Sequence, residues 1–300
     1  MWPDKAQYRP GERVLLHAPG AGKVRIFELG HAVVEVAVAG ELGEVVWTAP
    51  EAGEHSARGF YAEALDERGA VLATTAFDVA RHWSVAPRYG FLCNFKPGET
   101  AAEAVAGLNR LHINAVQYYD WMYTHYQFFA ETDEFTDPLG RPSSHAVVRA
   151  KIEACHRYGI ACLAYGAVYG GEQPIADAHP EWLLCDGNEQ PYKFGWWGSH
   201  LQNFDHGCGW REHLLGEFAG AIRRLDFDGM HIDSYGYPKR GVWLPEPGRK
   251  EIVDLTRALP EFVAEAALQV KRLKPDGGTS FNCVNTWPVE LMARRTEDQV

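Results

Sequence analysis

Two domains are predicted from the sequence: a small all-β sandwich over residues 1–82, followed by an α/β barrel of the (β/α)8 type over residues 83–300. Three observations carry this. Up to about residue 82 only strand signals occur. From Arg88 onward strands and helices alternate without a break. Within the alternating part, Asp226–Gly236 reads as a short apolar strand that stops abruptly in polar residues and glycine.

In the first part, Arg13–His17, Lys23–Leu29, Ala32–Ala39 and Glu44–Thr48 are short, valine-rich segments separated by turns such as Pro19-Gly20 and Gly40-Glu41. Phe60–Leu65 and Val71–Val79 flank Asp66-Glu67-Arg68-Gly69, a hairpin loop. Six or seven strands at this spacing suit a β-sandwich with an ancillary role, since no polar cluster in it suits chemistry.

In the second part, Tyr89–Asn94 is the first strand, and Thr100 to Glu103 reads as a capping box opening a helix with Val105, Leu108 and Leu111 on one face. Ile113–Tyr118 is the second strand. Ser144 caps a helix whose Val148, Ile152, Cys155 and Tyr158 share a face and which stops at Gly159. Ile160–Tyr165 is the third strand. A helix with Leu214, Phe218, Ala221 and Leu225 inward leads to the fourth, Gly229–Asp233. Helical segments Val253–Leu259 and Glu261–Leu273, broken at Pro260, lead to the fifth, Thr279–Val284. Such alternation implies a parallel sheet. A barrel takes about 250 residues and eight strands, so an incomplete barrel of about five strands is expected, with its C-terminal part missing and its edge strands open to pairing.

Side chains alternate along a strand, which puts His231 and Asp233 on one face of the fourth strand and Met230 and Ile232 on the other. Polar residues at the carboxyl end of a barrel strand read as catalytic, the alternative being an aspartate that caps the strand by accepting backbone N–H groups. The loops that follow the strands hold most of the unusual residues. They include Tyr119, Asp120, Trp121, Tyr123 and His125 after the second strand, and Trp182, Trp196, Trp197 and Asn203 after the third. Tyr235, Tyr237 and Trp243 follow the fourth, and Trp287 the fifth. Aromatic rings stacking on sugar C–H faces beside hydroxyl-binding Asp, Asn and His describe a carbohydrate cleft. Glycoside cleavage needs one ionised carboxylate and one protonated carboxyl group, and Asp233 suits the ionised role. His231 either donates to a sugar hydroxyl and helps to keep Asp233 charged, or satisfies a backbone carbonyl. Asp120 either grips hydroxyls or orders its loop as an Asx turn.

The composition narrows the alternatives. A net charge of −11 without a Lys/Arg cluster argues against a nucleic-acid partner. No apolar run approaches the roughly 20 residues of a membrane span, and Met1-Trp2-Pro3-Asp4 opens no signal peptide, so a cytoplasmic location is expected. Cys93, Cys155, Cys162, Cys185, Cys208 and Cys283 are scattered without a C-x-x-C pair, which signals neither zinc nor a disulfide framework. No metal or other cofactor is expected: a metal-dependent barrel hydrolase has only His231 with Asp233 to offer and lacks an H-x-H on the first strand. A non-catalytic carbohydrate-binding protein on the same scaffold is the stronger alternative.

Ile113–Met122, Phe227–Asp233 and Phe281–Asn285 together resemble glycoside hydrolase family 66, the family of endo-dextranases and cycloisomaltooligosaccharide glucanotransferases. The resemblance covers essentially the whole chain. It implies an immunoglobulin-like domain before a (β/α)8 barrel, an α-1,6-glucan substrate (dextran or isomalto-oligosaccharides), retention of configuration, and an aspartate nucleophile at the end of the fourth strand, which is Asp233. It also implies that Tyr119, Asp120 and Trp121 line the sugar site. Together with the strand-end and loop residues, the substrate-binding set becomes Tyr119, Asp120, Trp121, Tyr165, Asn203, His231, Tyr235 and Asn282. The family's acid/base glutamate lies on the strand after Phe281–Val284, which puts it beyond Val300, with Glu290 and Glu297 as the only nearby substitutes. Many enzymes of this family are extracellular, the alternative to a cytoplasmic location. Ser234-Tyr235 departs from the residues that usually follow the nucleophile.

Overall fold

In the computed structural model, residues 1–40, 42–194 and 199–294 are described. They form two compact units, one of Met1–Gly90 with Thr100–Val116 and Glu153–Ala161, the other of Phe91–Glu99, Gln117–Ile152 and Cys162–Val300.

The first unit contains two sheets around one core. Trp2–Pro3, Arg13–His17 and Glu44–Thr48 form a three-stranded sheet. Gln7–Tyr8, Val71–Val79, Arg58–Leu65, Lys23–Glu28 and His31–Ala37, in that spatial order, form a five-stranded one. Alternation decides which side chains face inward: Val14 and Leu16 from one sheet meet Val24, Ile26, Phe60, Ala62 and Phe77 from the other in a single buried cluster. Each fully buried Val, Ile or Phe contributes about 1.5–3 kcal/mol. The hairpin at Asp66 forms as its sequence suggests. Asp66 Oδ1 accepts from the N–H groups of Arg68 (2.9 Å) and Ala70 (2.7 Å), while Gly69 takes a positive φ of 83°. The two-residue strands at Trp2 and Gln7 are too short to leave a periodic signal.

Five further strands form one sheet in which spatial order equals sequence order: β1 (Tyr89–Leu92), β2 (Ala115–Tyr118), β3 (Ala161–Ala167), β4 (Gly229–Asp233) and β5 (Gly278–Phe281). Helices α1 (Ala101–Arg110), α2 (His145–Arg157), α3 (Gly209–Leu225) and α4 (Leu255–Leu273) lie in the connections. β3 pairs with β4, and β4 with β5, in parallel. All seven residues of β3 are buried, as for a parallel strand covered on both faces. Among the described residues the sheet is open, with β1 and β5 at its edges, and no closed barrel is formed.

The point where β4 leaves its turn is fixed tightly. Asp228 Oδ2 accepts from Cys162 N–H at 2.8 Å, and the Asp228 carbonyl accepts from Gly278 N–H at 3.0 Å. β4 and β5 approach so closely that a Cβ on Gly229 would lie 1.7 Å from the Gly278 carbonyl oxygen. Only glycine fits there.

Some local expectations hold and others do not. Ser144 caps α2, accepting from Val147 N–H at 3.3 Å, and Gly159 beyond its end has φ 68°. Thr100 stands at the N-cap of α1, but its side chain makes no capping hydrogen bond, so the capping box does not form. α4 is not broken at Pro260: it runs continuously from Leu255 to Leu273. Pro260 costs about 3 kcal/mol inside a helix, and burial of Leu255, Leu259, Phe262 and Val263 around it, with the Asp254 cap on Thr256 N–H, offsets that. Val253 lies instead in an antiparallel hairpin, Arg240–Glu246 with Arg249–Asp254, whose many charges hide its alternation in the sequence. No helix among the described residues is long and apolar enough to cross a membrane.

Candidate active site

The registers of β3, β4 and β5 gather the strand-end residues. Tyr165 stands opposite His231 and Ala167 opposite Asp233, while His231 faces Ser280. Beyond β5 the chain stays in register, Asn282 N–H donating to the Ile232 carbonyl at 3.1 Å. Two side chains therefore converge on Asp233. Tyr165 Oη donates to Oδ2 at 2.9 Å and Asn282 Nδ2 to Oδ1 at 2.5 Å. Burial pushes the Asp233 carboxyl above its ordinary value, against the pull of the Asn282 and Tyr165 donors and of the His125 imidazole.

His231, on the same strand face, is buried and pairs Nδ1 with Ser280 Oγ at 2.7 Å. Burial pushes it down to about 4, so it is neutral at neutral pH. The imidazole that helps to keep Asp233 ionised is therefore His125 rather than His231. His125 lies in the loop after β2, and both its backbone N–H (3.0 Å) and its Nδ1 (2.8 Å) meet Glu172 Oε1. His125 stood out in the sequence only as one member of the aromatic loop after β2, and Glu172 did not stand out at all: they are 47 positions apart and belong to no motif.

Tyr119 and Asp120 follow β2. Tyr119 is 36% exposed, its ring 4.8 Å from that of Tyr165. Asp120 has a positive φ of 49° and is only 2% exposed. Its Oδ2 is buried without a hydrogen-bond partner, with Arg141 Nη2 at 3.8 Å. Burial drives this carboxyl up to about 6, with Asp137 and Asp233 adding to the effect and His125 and Arg141 opposing it. A buried carboxylate oxygen left open beside the exposed Tyr119 ring suits a ligand hydroxyl.

Several sequence candidates take other places. Trp121 has no exposed surface: its Nε1 donates to the Tyr165 carbonyl at 3.2 Å and its ring packs on Phe128 and Phe227. It supports the site from the core and does not wall a cleft. Asn203 is fully buried with Oδ1 accepting from Asp205 N–H at 3.0 Å, so it orders its own loop. Tyr235 is held on its backbone, its N–H donating to Tyr169 Oη at 2.7 Å, and its ring stacks on Phe194 at 4.0 Å. Trp182 stacks on His179, Trp243 donates to the Glu181 carbonyl, and Trp287 is buried with Nε1 on Thr256 Oγ1. Glu290 is exposed, in the short helix Val289–Ala293. Trp196, Trp197 and Glu297 lie outside the described residues.

The family model described as glycosyl hydrolase family 66 matches residues 3–300, and the chain belongs to that family. Two curated cycloisomaltooligosaccharide glucanotransferases of Niallia circulans are similar to it. One is 27% identical over 266 residues, covering 78% of this chain and 27% of the relative. The other is 28% identical over 269 residues, covering 79% and 28%. A crystal structure of a Paenibacillus sp. cycloisomaltooligosaccharide glucanotransferase complexed with cycloisomaltoheptaose is similar with TM-score 0.78 and 25% identity, over 94% of this chain and 44% of that one. The chain thus spans little more than a quarter of the length of these curated relatives.

Proposed function

We propose that this protein acts on α-1,6-linked glucan, such as dextran or isomalto-oligosaccharides, as a retaining glycoside hydrolase or transglycosylase with Asp233 as the nucleophile. The observation that carries the reading is the position of Asp233: it ends β4, and donors from β3 and from the segment after β5 grip its two oxygens. Tyr165 and Asn282 hold the carboxylate in one orientation. As Oδ attacks the anomeric carbon and gives up its charge, the leaving oxygen departs and a glycosyl ester forms. Water then breaks the ester in hydrolysis, and a sugar hydroxyl breaks it in transfer. Membership of the family and the two similar glucanotransferases support this reaction class. The complex of the similar Paenibacillus enzyme with cycloisomaltoheptaose supports the linkage.

On this reading Tyr119, Asp120, Tyr165 and Asn282 contact the sugar, Asp120 through its open Oδ2. Residues 1–82 form an immunoglobulin-like domain, and β1–β5 are the first strands of an eight-stranded barrel. The family resemblance puts the acid/base glutamate on the strand after β5.

A substrate that needs no proton donor tests the nucleophile by itself. With α-isomaltosyl fluoride, the C–F bond breaks as the C1–Oδ bond forms and fluoride leaves unprotonated. Fluoride release by the 300-residue chain, abolished in Asp233→Asn, is the expected result, and with a 5-fluoro-α-glucosyl fluoride, whose C1 fluoride leaves while its C5 fluorine stays, so is a 5-fluoroglycosyl adduct on the peptide holding Asp233. Binding of isomaltotriose without any fluoride release would favour a non-catalytic carbohydrate-binding protein, and release undiminished in Asp233→Asn would overturn the assignment.

A further inference from the structure

One ionisable pair at this end of the sheet, His125 with Glu172, takes no part in bond making or breaking. His125 is 5% exposed, and Glu172 stands at the N-cap of the short helix Gln173–Ala178 that follows β3. A single oxygen, Glu172 Oε1, receives both the backbone N–H and the Nδ1–H of His125. Two bonds from one carboxylate to one residue fix both the position and the ring orientation of the imidazole, and they assign the proton at Nδ1. Burial alone would strip charge from His125. The Glu172 hydrogen bond and the charges of Glu172, Asp120 and Asp233 outweigh burial and hold the imidazole above its ordinary range. Burial likewise works on Glu172, and His125 outweighs it and keeps that carboxyl below its ordinary range.

The charges around the pair make its use plain. Three carboxylates, Asp120, Glu172 and Asp233, act on His125, and Arg141, held by Asp137, is a further cation near Asp120, with the phenols of Tyr119, Tyr126, Tyr165 and Tyr235 facing these acids. Without an imidazolium at His125, burial would push Asp233 and Asp120 further toward their protonated forms. We propose that Glu172 is a positioning residue that locks His125 as the imidazolium of the glucan site, and that this cation keeps Asp233 ionised and able to attack. The proposal rests on the reading of Asp233 as nucleophile for its consequence in rate, though not for the charge state of His125.

Glu172→Gln is the informative variant, because the amide oxygen still accepts both His125 hydrogen bonds while the charge is removed. In 15N-histidine-labelled protein, with the His125 signal assigned through His125→Gln, the wild-type ring should titrate above an ordinary histidine. In Glu172→Gln it should titrate below one. Correspondingly, the acid limb of kcat/KM for α-isomaltosyl fluoride should move up by about one pH unit in both Glu172→Gln and His125→Gln, with the rate recovered at high pH. A His125 titration that is the same in wild type and Glu172→Gln overturns the proposal, and so does a rate loss that is equal at every pH. If the wild-type chain releases no fluoride, the function proposed above fails, and the NMR titration still decides the state of His125.

Discussion

Tyr165 and Asp233, on adjacent parallel strands and 68 residues apart, are joined by a hydrogen bond of 2.9 Å from the phenol to carboxylate Oδ2. Asn282 grips the other oxygen from the far side, so the orientation of Asp233 is set by both neighbouring strands. Removing either donor shifts the balance toward burial. In Tyr165→Phe and Asn282→Ala the Asp233 carboxyl should rise further, moving the acid limb of fluoride release to higher pH. Each should also cost about 10- to 100-fold in kcat/KM near neutral pH, from the roughly 1.5–3 kcal/mol of a hydrogen bond to a charged group. A pH profile unchanged in both variants would contradict this geometry.

Gly229 lies where β4 passes closest to β5, and the space for a Cβ is already occupied by the Gly278 carbonyl. Gly229→Ala should force the strands apart and destabilise the protein by about 3 kcal/mol, read as a lower urea midpoint. A change at Gly107, where a Cβ meets nothing within 4 Å, should be tolerated.

His231 is neutral in the folded protein because burial holds it at about 4, against an ordinary 6.5. A folded value below the unfolded one means that the unfolded chain binds the proton first, so stability is full above about pH 6.5 and is lost as pH falls toward 4. The loss attributable to His231 should approach about 3 kcal/mol, at 1.36 kcal/mol per pKa unit. Urea unfolding between pH 7 and pH 4 should therefore fall less steeply in His231→Gln than in the wild type. His145, also held at about 4 by burial, adds to the slope in both proteins.

Trp121 and Tyr119 are two residues apart and should fail in different ways. Trp121→Ala empties a fully buried site and should cost about 3–5 kcal/mol of stability. Tyr119→Ala removes a half-exposed ring at the site and should weaken isomaltotriose binding, measured by calorimetry, with little change in unfolding. Equal stability losses in the two variants would argue against this division.

The elements whose signals are local were legible in the sequence. Asp66 with Gly69 closes its hairpin, Ser144 caps its helix, and Gly229–Asp233 forms a strand ending in a carboxylate. In each, residues a few positions apart satisfy one another, and backbone period alone decides which side chains share a face. The rest of the site depended on tertiary structure. At Asp120 the backbone takes a positive φ, which breaks the strand alternation, so that Trp121 turns into the core although it stands in a run of cleft residues. Pro260 stays helical because the packing around it outweighs its local cost. The proton affinities of His231 and His125 shift in directions opposite to what their spacing from Asp233 suggests. His231 shares a strand face with Asp233 but is buried against β5 and loses its proton. His125 is distant in sequence, yet Glu172 meets it across the loops that follow β2 and β3 and raises its affinity for a proton. Protonation follows from which groups burial brings together, and that is decided only when the strands are placed side by side.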